Sequence, residues 1–327
     1  MYNKKKLMLL LFIICNLLTF TSSQAQTLRS DEPIKIVLND WTSQLVLSHI
    51  AAELFEGMGY SVIFSKKTTG AQWGALQRGL AHVQMEVWQG TMEKMYTRMI
   101  DEGGIIDAGS HDATTREEWW FPDYVLDLCP GLPDWRALNS CAHLFETKET
   151  SPRGRYLGGP WEKPDGAKIR ALDLNFKVVT ANNSDELWEV LDKAIRNKQP
   201  IVLFNWTPNW IEAKYKGQFV EFPRYHSDCE TKPEWGENKN FLHDCGNPTD
   251  GWLKKVAWHD MPIKWPCAFE TLTKINFSNA MLAKLAYEVD VNKSTYQQAA
   301  RQWLADNQLL WESWISPSCQ ITNKITG

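Results

Sequence analysis

No G-x-S-x-G nucleophile elbow, H-E-x-x-H zinc helix or G-x-x-x-x-G-K-[ST] phosphate loop occurs in the 327 residues. Three widespread routes to hydrolytic or nucleotide chemistry therefore have no basis in this chain, and no enzyme is expected. A second long apolar run is also missing. After residues 7–20 nothing approaches the roughly 20 apolar residues of a membrane-spanning helix. Basic charge is short too, with 35 Lys and Arg against 39 Asp and Glu. A nucleic-acid partner wants a basic face and is not expected. No internal repeat or low-complexity segment is present, and nothing in the sequence points to an oligomer, so a monomer is expected.

What is there begins with an export leader. Residues 1–6 carry three lysines, residues 7–20 form an apolar stretch of signal length, and Ser23 and Ala25 supply small residues before a cleavage point. The expectation is a signal peptide over residues 1–25 and a periplasmic mature protein. A lipid anchor at Cys15 is not expected, because Ile14 precedes it where a small residue is needed. Losing the three leader lysines leaves 32 basic residues against 39 acidic ones, a formal charge of −7.

Six cysteines remain after Cys15 leaves with the leader, and an even count in an oxidising compartment reads as disulfides. Proximity in the chain pairs Cys129 with Cys141 and Cys229 with Cys245, leaving Cys267 for Cys319. His226, Cys229, His243 and Cys245 match no common zinc spacing. Asp228, Glu230, Glu234 and Glu237 are acids that could chelate a structural calcium ion, but they lack the EF-hand pattern and read as a solvated loop. No cofactor is called for.

The hydrophobic pattern alternates strand and helix. Strands are expected at residues 34–38, 61–65 and 83–87, with helices at 42–58, 71–80 and 91–102, an order that means a parallel sheet with right-handed crossovers. A Gly/Ser/Asp-rich stretch, residues 103–112, exits to an extended segment ending at Pro122. A second α/β unit follows: strand 176–180, helix 184–196 capped by Ser184, strand 201–205, and a further strand at 219–223. Helices over residues 279–314 suggest that the chain returns to the first unit, with Lys264-Trp265-Pro266 marking the return. About 300 mature residues exceed one compact core, so two lobes are expected: residues 26–125 with 251–327, and residues 126–250.

Seventeen tryptophans are far more than average composition supplies. Trp41, Trp88 and Trp206 each fall at the carboxyl end of an expected strand, where open α/β sheets bind ligands and where an indole face can receive a methylated cation. Taken singly, any of them reads as core. Trp73, Trp120, Trp135, Trp188, Trp303, Trp311 and Trp314 lie at helical or turn positions and are read as packing, and Trp210 as support for Trp206.

Phe204-Asn205-Trp206-Thr207-Pro208-Asn209-Trp210, followed by Tyr215-Lys216, resembles the WTPxW segment of the glycine betaine/choline/proline-betaine binding proteins of ABC transporters. The resemblance extends to Asp40-Trp41-Thr42, to Glu86-Val87-Trp88 and to the segment ending at Pro122, covering essentially the whole mature chain. It implies an α/β fold of the type II periplasmic binding protein class, two lobes joined by two crossings and closing on ligand. Carried over residue by residue, it implies ligand contacts from Trp206, Trp88 and Trp41, from Trp119 where some relatives have tyrosine, and from Trp161 in Gly158-Gly159-Pro160-Trp161. The sequence departs at Ser43, where choline-type members carry aspartate, and at Asn209, where some betaine binders carry histidine. Asn209 retains an amide that can donate.

A trimethylammonium group has no N–H to give, so ring faces must recognise it, at roughly 0.5–2 kcal/mol apiece. Three or four preformed indoles then supply much of the ~8 kcal/mol of a micromolar complex. Glu86 has two readings. Ionised, it favours a cation such as choline; protonated, it donates to an N-oxide or carboxylate oxygen. The expected function is a binding protein that captures a small methylated osmolyte, glycine betaine or trimethylamine N-oxide ahead of choline, and presents it to a membrane permease. The rival is a secreted carbohydrate-binding or carbohydrate-active protein. Its candidate acids, Glu117 and Glu118, are adjacent on an extended segment and point to opposite faces, poor geometry for a glycosidase pair.

Overall fold

The structure is a computed structural model that describes residues 30–319. The expected signal peptide lies outside the described residues. The chain opens with β1 (Ile34–Leu38), α1 (Thr42–Gly57), β2 (Val62–Lys66), α2 (Ala71–Gln77), β3 (Val83–Trp88) and α3 (Gln89–Asp101). It continues with β4 (Ile105–Pro122), β5 (Pro130–Pro133), α4 (Ala137–Cys141), β6 (Gly154–Gly158), α5 (Asp165–Ala171), β7 (Phe176–Thr180) and α6 (Ser184–Arg196). Then come β8 (Leu203–Thr207), α7 (Ile211–Lys214), β9 (Gly217–Phe219), β10 (Gly251–Trp258), α8 (Met261–Lys264), α9 (Pro266–Lys274), α10 (Asn279–Asp290), α11 (Tyr296–Asp306) and α12 (Gln308–Glu312).

Nine strands, all but β5, form one mixed sheet in the order β2-β1-β3-β10-β4-β8-β6-β7, with β9 beside β4. β1 pairs in parallel with β2 and β3, and β6 in parallel with β7 and β8, as alternating strands and helices require. The two parallel groups meet through β4, whose 18 residues serve both. Its first part runs antiparallel to β10 as far as Thr115; from Arg116 to Trp120 it runs antiparallel to β8. One strand therefore carries the sheet from one half of the molecule to the other.

Three local expectations are corrected. The Gly/Ser/Asp-rich stretch at residues 103–112 belongs largely to β4, because the ladder with β10 supplies partners that its composition does not advertise. The return from the second half is made by β10, not by Lys264-Trp265-Pro266, which joins α8 to α9. β10 hides in the sequence behind Lys254-Lys255. Lys254 pairs with Asp107 at 2.6 Å, while buried Lys255 donates to the Ile275 carbonyl and is pushed down to about 8 by burial. Finally, α6 is capped by Asn183, whose side chain accepts from the Glu186 N–H at 2.9 Å, one residue before the expected cap.

The C-terminal helices pack against the first helix of the chain. Asp290 of α10 accepts from Thr42 at 2.7 Å, and Arg301 of α11 reaches Glu53 of α1 at 2.8 Å. Trp303 stacks on Trp314, and both pack on Phe277. The disulfides are Cys129–Cys141, Cys229–Cys245 and Cys267–Cys319, the pairing expected from proximity. Among the described residues no helix is long and apolar enough to cross a membrane, and no His/Cys/Asp/Glu group is placed to hold a metal ion.

Candidate functional site

Trp41 leaves the end of β1 and opens α1, while Trp88 ends β3 and opens α3. Because β1 and β3 are parallel neighbours, their carboxyl ends lie side by side and bring residues 47 apart in sequence to one edge. The edge is stiffened by a buried amide network. Gln84 donates to Asn39 at 2.6 Å and to Gln72, and Gln44 donates to Gln84 at 2.9 Å and to the Val37 carbonyl at 2.8 Å. With every amide spoken for, such a network fixes the backbone from which both tryptophans project.

Glu86 sits directly behind them. Its Oε2 accepts from the indole N–H of Trp41 at 2.6 Å, from that of Trp88 at 3.0 Å and from the Ser43 hydroxyl at 3.1 Å. The residue is 0% exposed, and its other oxygen has no partner. Burial pushes the carboxyl up to about 7, against the pull of the three donors. Ser43 thereby gains a reason for its identity: an aspartate there would set a second buried carboxylate against Glu86.

The second half supplies Trp206 from the end of β8 and Trp161 from the segment between β6 and α5. The ring of Trp161 stands edge-on to Trp206 at 5.1 Å and to Trp41 at 6.3 Å between centroids. Gly159 allows the fold-back, since a Cβ there would lie 2.3 Å from the Trp161 ring. Trp188 of α6 backs Trp206 at 5.0 Å, and Phe204 flanks it at 5.6 Å. Trp41, Trp88, Trp161 and Trp206, with Phe204, Met92, Thr69, Thr91 and Glu117, line one cavity of about 30 Å³.

Glu117 is the polar feature of this cavity. It lies opposite Trp206 in the β4–β8 register. Its Oε1 accepts from the Thr91 hydroxyl and from Lys163 Nζ, the latter at 3.0 Å, and Lys163 also donates to Thr91 Oγ1 at 2.7 Å. Its Oε2 is buried without a partner, and so is the indole N–H of Trp161. Gly90 keeps the position open, because a Cβ there would approach Oε2 to 2.6 Å. Glu118 points the other way, to Lys168 at 2.8 Å and the Asn247 N–H at 2.8 Å, as strand alternation demands.

Of the seven residues expected at the site, Trp41, Trp88, Trp161 and Trp206 line the cavity, and Glu86 lies behind two of them. Trp119 and Asn209 lie elsewhere. Trp119 is 0% exposed, stacked on Tyr156 at 3.9 Å, with its N–H given to Asp165 at 3.0 Å. Asn209 turns its side chain to Asn205 at 3.3 Å and to the Trp210 N–H at 2.7 Å. Thr91 and Lys163 carry no signal in the sequence, and Glu117 enters there only as a candidate acid of the carbohydrate reading. Alternation along residues 117–122 does place Glu117 and Trp119 on the same strand face, but it does not say which stretch of that face meets the cavity.

Comparison with known proteins bears on the family and the fold. Residues 32–306 match the family described as the substrate binding domain of ABC-type glycine betaine transport systems. The chain is 36% identical over 291 residues to the trimethylamine N-oxide-binding protein of Pelagibacter ubique, spanning 86% of this chain and 90% of that one. It superposes on lactococcal OpuAC in its closed-liganded conformation with glycine betaine, with a TM-score of 0.67 at 16% identity, covering 88% of this chain and 100% of that one. It also superposes on the glycine betaine/L-proline-binding protein of Borrelia burgdorferi, with a TM-score of 0.70 at 16% identity, covering 88% of this chain and 98% of that one. The structural likeness establishes the two-lobed α/β fold of type II periplasmic binding proteins, and the carbohydrate reading finds no support. With the family matched over most of its length, this chain belongs to the substrate binding domains of ABC-type glycine betaine transport systems.

Proposed function

We propose that the protein captures trimethylamine N-oxide, with glycine betaine as the second ligand and choline behind both, in a cage of Trp41, Trp88, Trp161 and Trp206. The observation that carries this reading is one unpartnered buried acceptor, Glu117 Oε2, and one unpartnered buried donor, Trp161 Nε1, in a single indole-lined cavity. A buried polar atom without a partner is costly unless a ligand completes it. A ligand that completes both carries a positive and a negative end. Methyl groups bearing positive charge meet the ring faces and the carboxylate, and the oxygen meets the indole N–H. The Pelagibacter relative named for N-oxide binding supports the choice of the N-oxide over betaine.

In this reading residues 1–25 direct export to the periplasm, and the mature monomer has one lobe from residues 26–125 and 251–327 and another from residues 126–250. The lobes close on the ligand, the closed form docks on the permease, and no bond in the ligand is made or broken. Tryptophan fluorescence of the mature protein, titrated with trimethylamine N-oxide, glycine betaine, choline and a disaccharide, tests it. Saturation at micromolar N-oxide that Trp206→Ala weakens by about 10- to 30-fold is expected. Indifference to every methylated amine would overturn the reading.

A further inference from the structure

We infer that Lys163 sets the charge selectivity of the cage, matching it to an electrically neutral dipolar ligand and against a monocation of the same shape. The inference rests on the proposed capture of a methylated amine and adds the residue that decides between charge types. Lys163 comes from the segment between β6 and α5, carried by the second half of the sheet. Its Nζ lies 3.0 Å from Glu117 Oε1 and 2.7 Å from the hydroxyl of Thr91, which stands in the first turn of α3 in the first half. The side chains of Lys163 and Glu117 are 8% and 7% exposed, so little water screens the pair. The ammonium also lies 4.2 Å from the centroid of the Phe204 ring, one wall of the cage.

The charge arithmetic follows from these positions. Glu117 alone would give the cavity wall a carboxylate, which a quaternary cation would neutralise. Lys163 neutralises it first, so a monocation finds no net attraction and its own charge stays uncompensated. A neutral dipole suffers no such cost. Its positive end faces Glu117 Oε2, while its negative end meets the indole N–H of Trp161. Since Lys163 joins Thr91 of one half to Glu117 on the shared strand, the neutral wall is complete only when the two halves are together. Selectivity by charge is thus tied to closure.

Trimethylamine N-oxide and tetramethylammonium are the probes, because they share shape and three methyl groups and differ where an oxygen replaces the fourth methyl, which changes the net charge by one. Calorimetric titration at pH 7.5 and low salt gives the ratio of their Kd values for the mature wild type, Lys163→Met and Lys163→Arg. The ratio, tetramethylammonium over N-oxide, is expected to fall at least tenfold in Lys163→Met and to change less than threefold in Lys163→Arg. Equal weakening of both ligands in Lys163→Met, or an unchanged ratio, would overturn the inference and leave the cage itself intact. Should Lys163→Met not fold, Glu117→Gln supplies the test: an unpaired ammonium must raise the ratio, and a fall or no change rejects the charge role. A wild type that binds neither betaine nor N-oxide would instead remove the proposed function, and this inference with it.

Discussion

Trp41 donates its indole N–H to Oε2 of Glu86 at 2.6 Å, across 45 residues of sequence. Trp88 gives its N–H to the same oxygen, so one buried acid fixes the planes of two cage walls. Sequence reading offered Glu86 as a ligand group, ionised or protonated. It lies behind the two rings and holds both indole N–H groups, so in the proposed cage it is a positioning residue for Trp41 and Trp88.

The burial of Glu86 has a pH signature. Its carboxyl is raised from 4.5 to about 7. Below pH 4.5 the group is protonated whether folded or unfolded and costs nothing; above about 7 the folded state carries the full cost of a buried charge. Glu86→Gln should therefore gain stability relative to wild type as pH rises from 4.5 to 7, by roughly 3 kcal/mol, and no further above that. Urea unfolding at pH 4.5, 6 and 8 checks it. A gap between the two proteins that does not change with pH would refute it.

Trp206 and Trp119 should respond oppositely to truncation. Trp206→Ala removes a cage wall, and a desolvated ring contact of up to ~2 kcal/mol corresponds to a 10- to 30-fold rise in Kd for trimethylamine N-oxide. Trp119→Ala empties a core position stacked on Tyr156. It should cost about 3–5 kcal/mol of stability and move the Kd of the folded protein less than about threefold. Chemical denaturation paired with calorimetry separates the two; ligand loss in a stable Trp119→Ala protein would contradict the assignment.

Gly159→Ala tests the placement of Trp161. The added methyl would lie 2.3 Å from the indole ring, so the ring must move. Weakening of N-oxide binding by at least about tenfold, with about 1–3 kcal/mol of overpacking cost, is expected. Unchanged affinity in calorimetry would mean that Trp161 is not a wall of the binding site.

The Cys267–Cys319 bridge closes a separation of 52 residues, from α9 to the last described turn. Replacing both cysteines with serine should lower stability by about 4 kcal/mol on the chain-entropy account. The cage lies at the sheet edge away from this tie, so N-oxide affinity at 20 °C should stay within about twofold. A larger affinity loss would show that the tail supports the site.

Much of the first lobe could be read directly. Residues 34–38, 42–58 and 83–87 repeat their apolar positions at strand or helix period, and those periods depend on neighbours a few residues away. The three disulfide pairs followed from proximity, and the WTPxW segment with its companions identified the family. β10 could not be read this way. Its two lysines break the apolar pattern, and only the ladders on either side, with Asp107 and the Ile275 carbonyl as partners, make a strand there favourable.

The sequence by itself determined the α/β class, the family and the supply of indoles, because each of these is written in local pattern or short motif. The tertiary structure alone decided which indoles line the cavity. Trp119 and Asn209 carried the same motif-level promise as Trp88 and Trp161, yet Trp119 stacks on Tyr156 in the core and Asn209 is held by Asn205 and the Trp210 N–H in the turn after β8. The same packing brought Glu117 of the shared strand, Thr91 of one half and Lys163 of the other into one polar cluster. A side chain's surroundings are set by partners dozens of residues away, so the long-range contacts of the folded sheet had to place them.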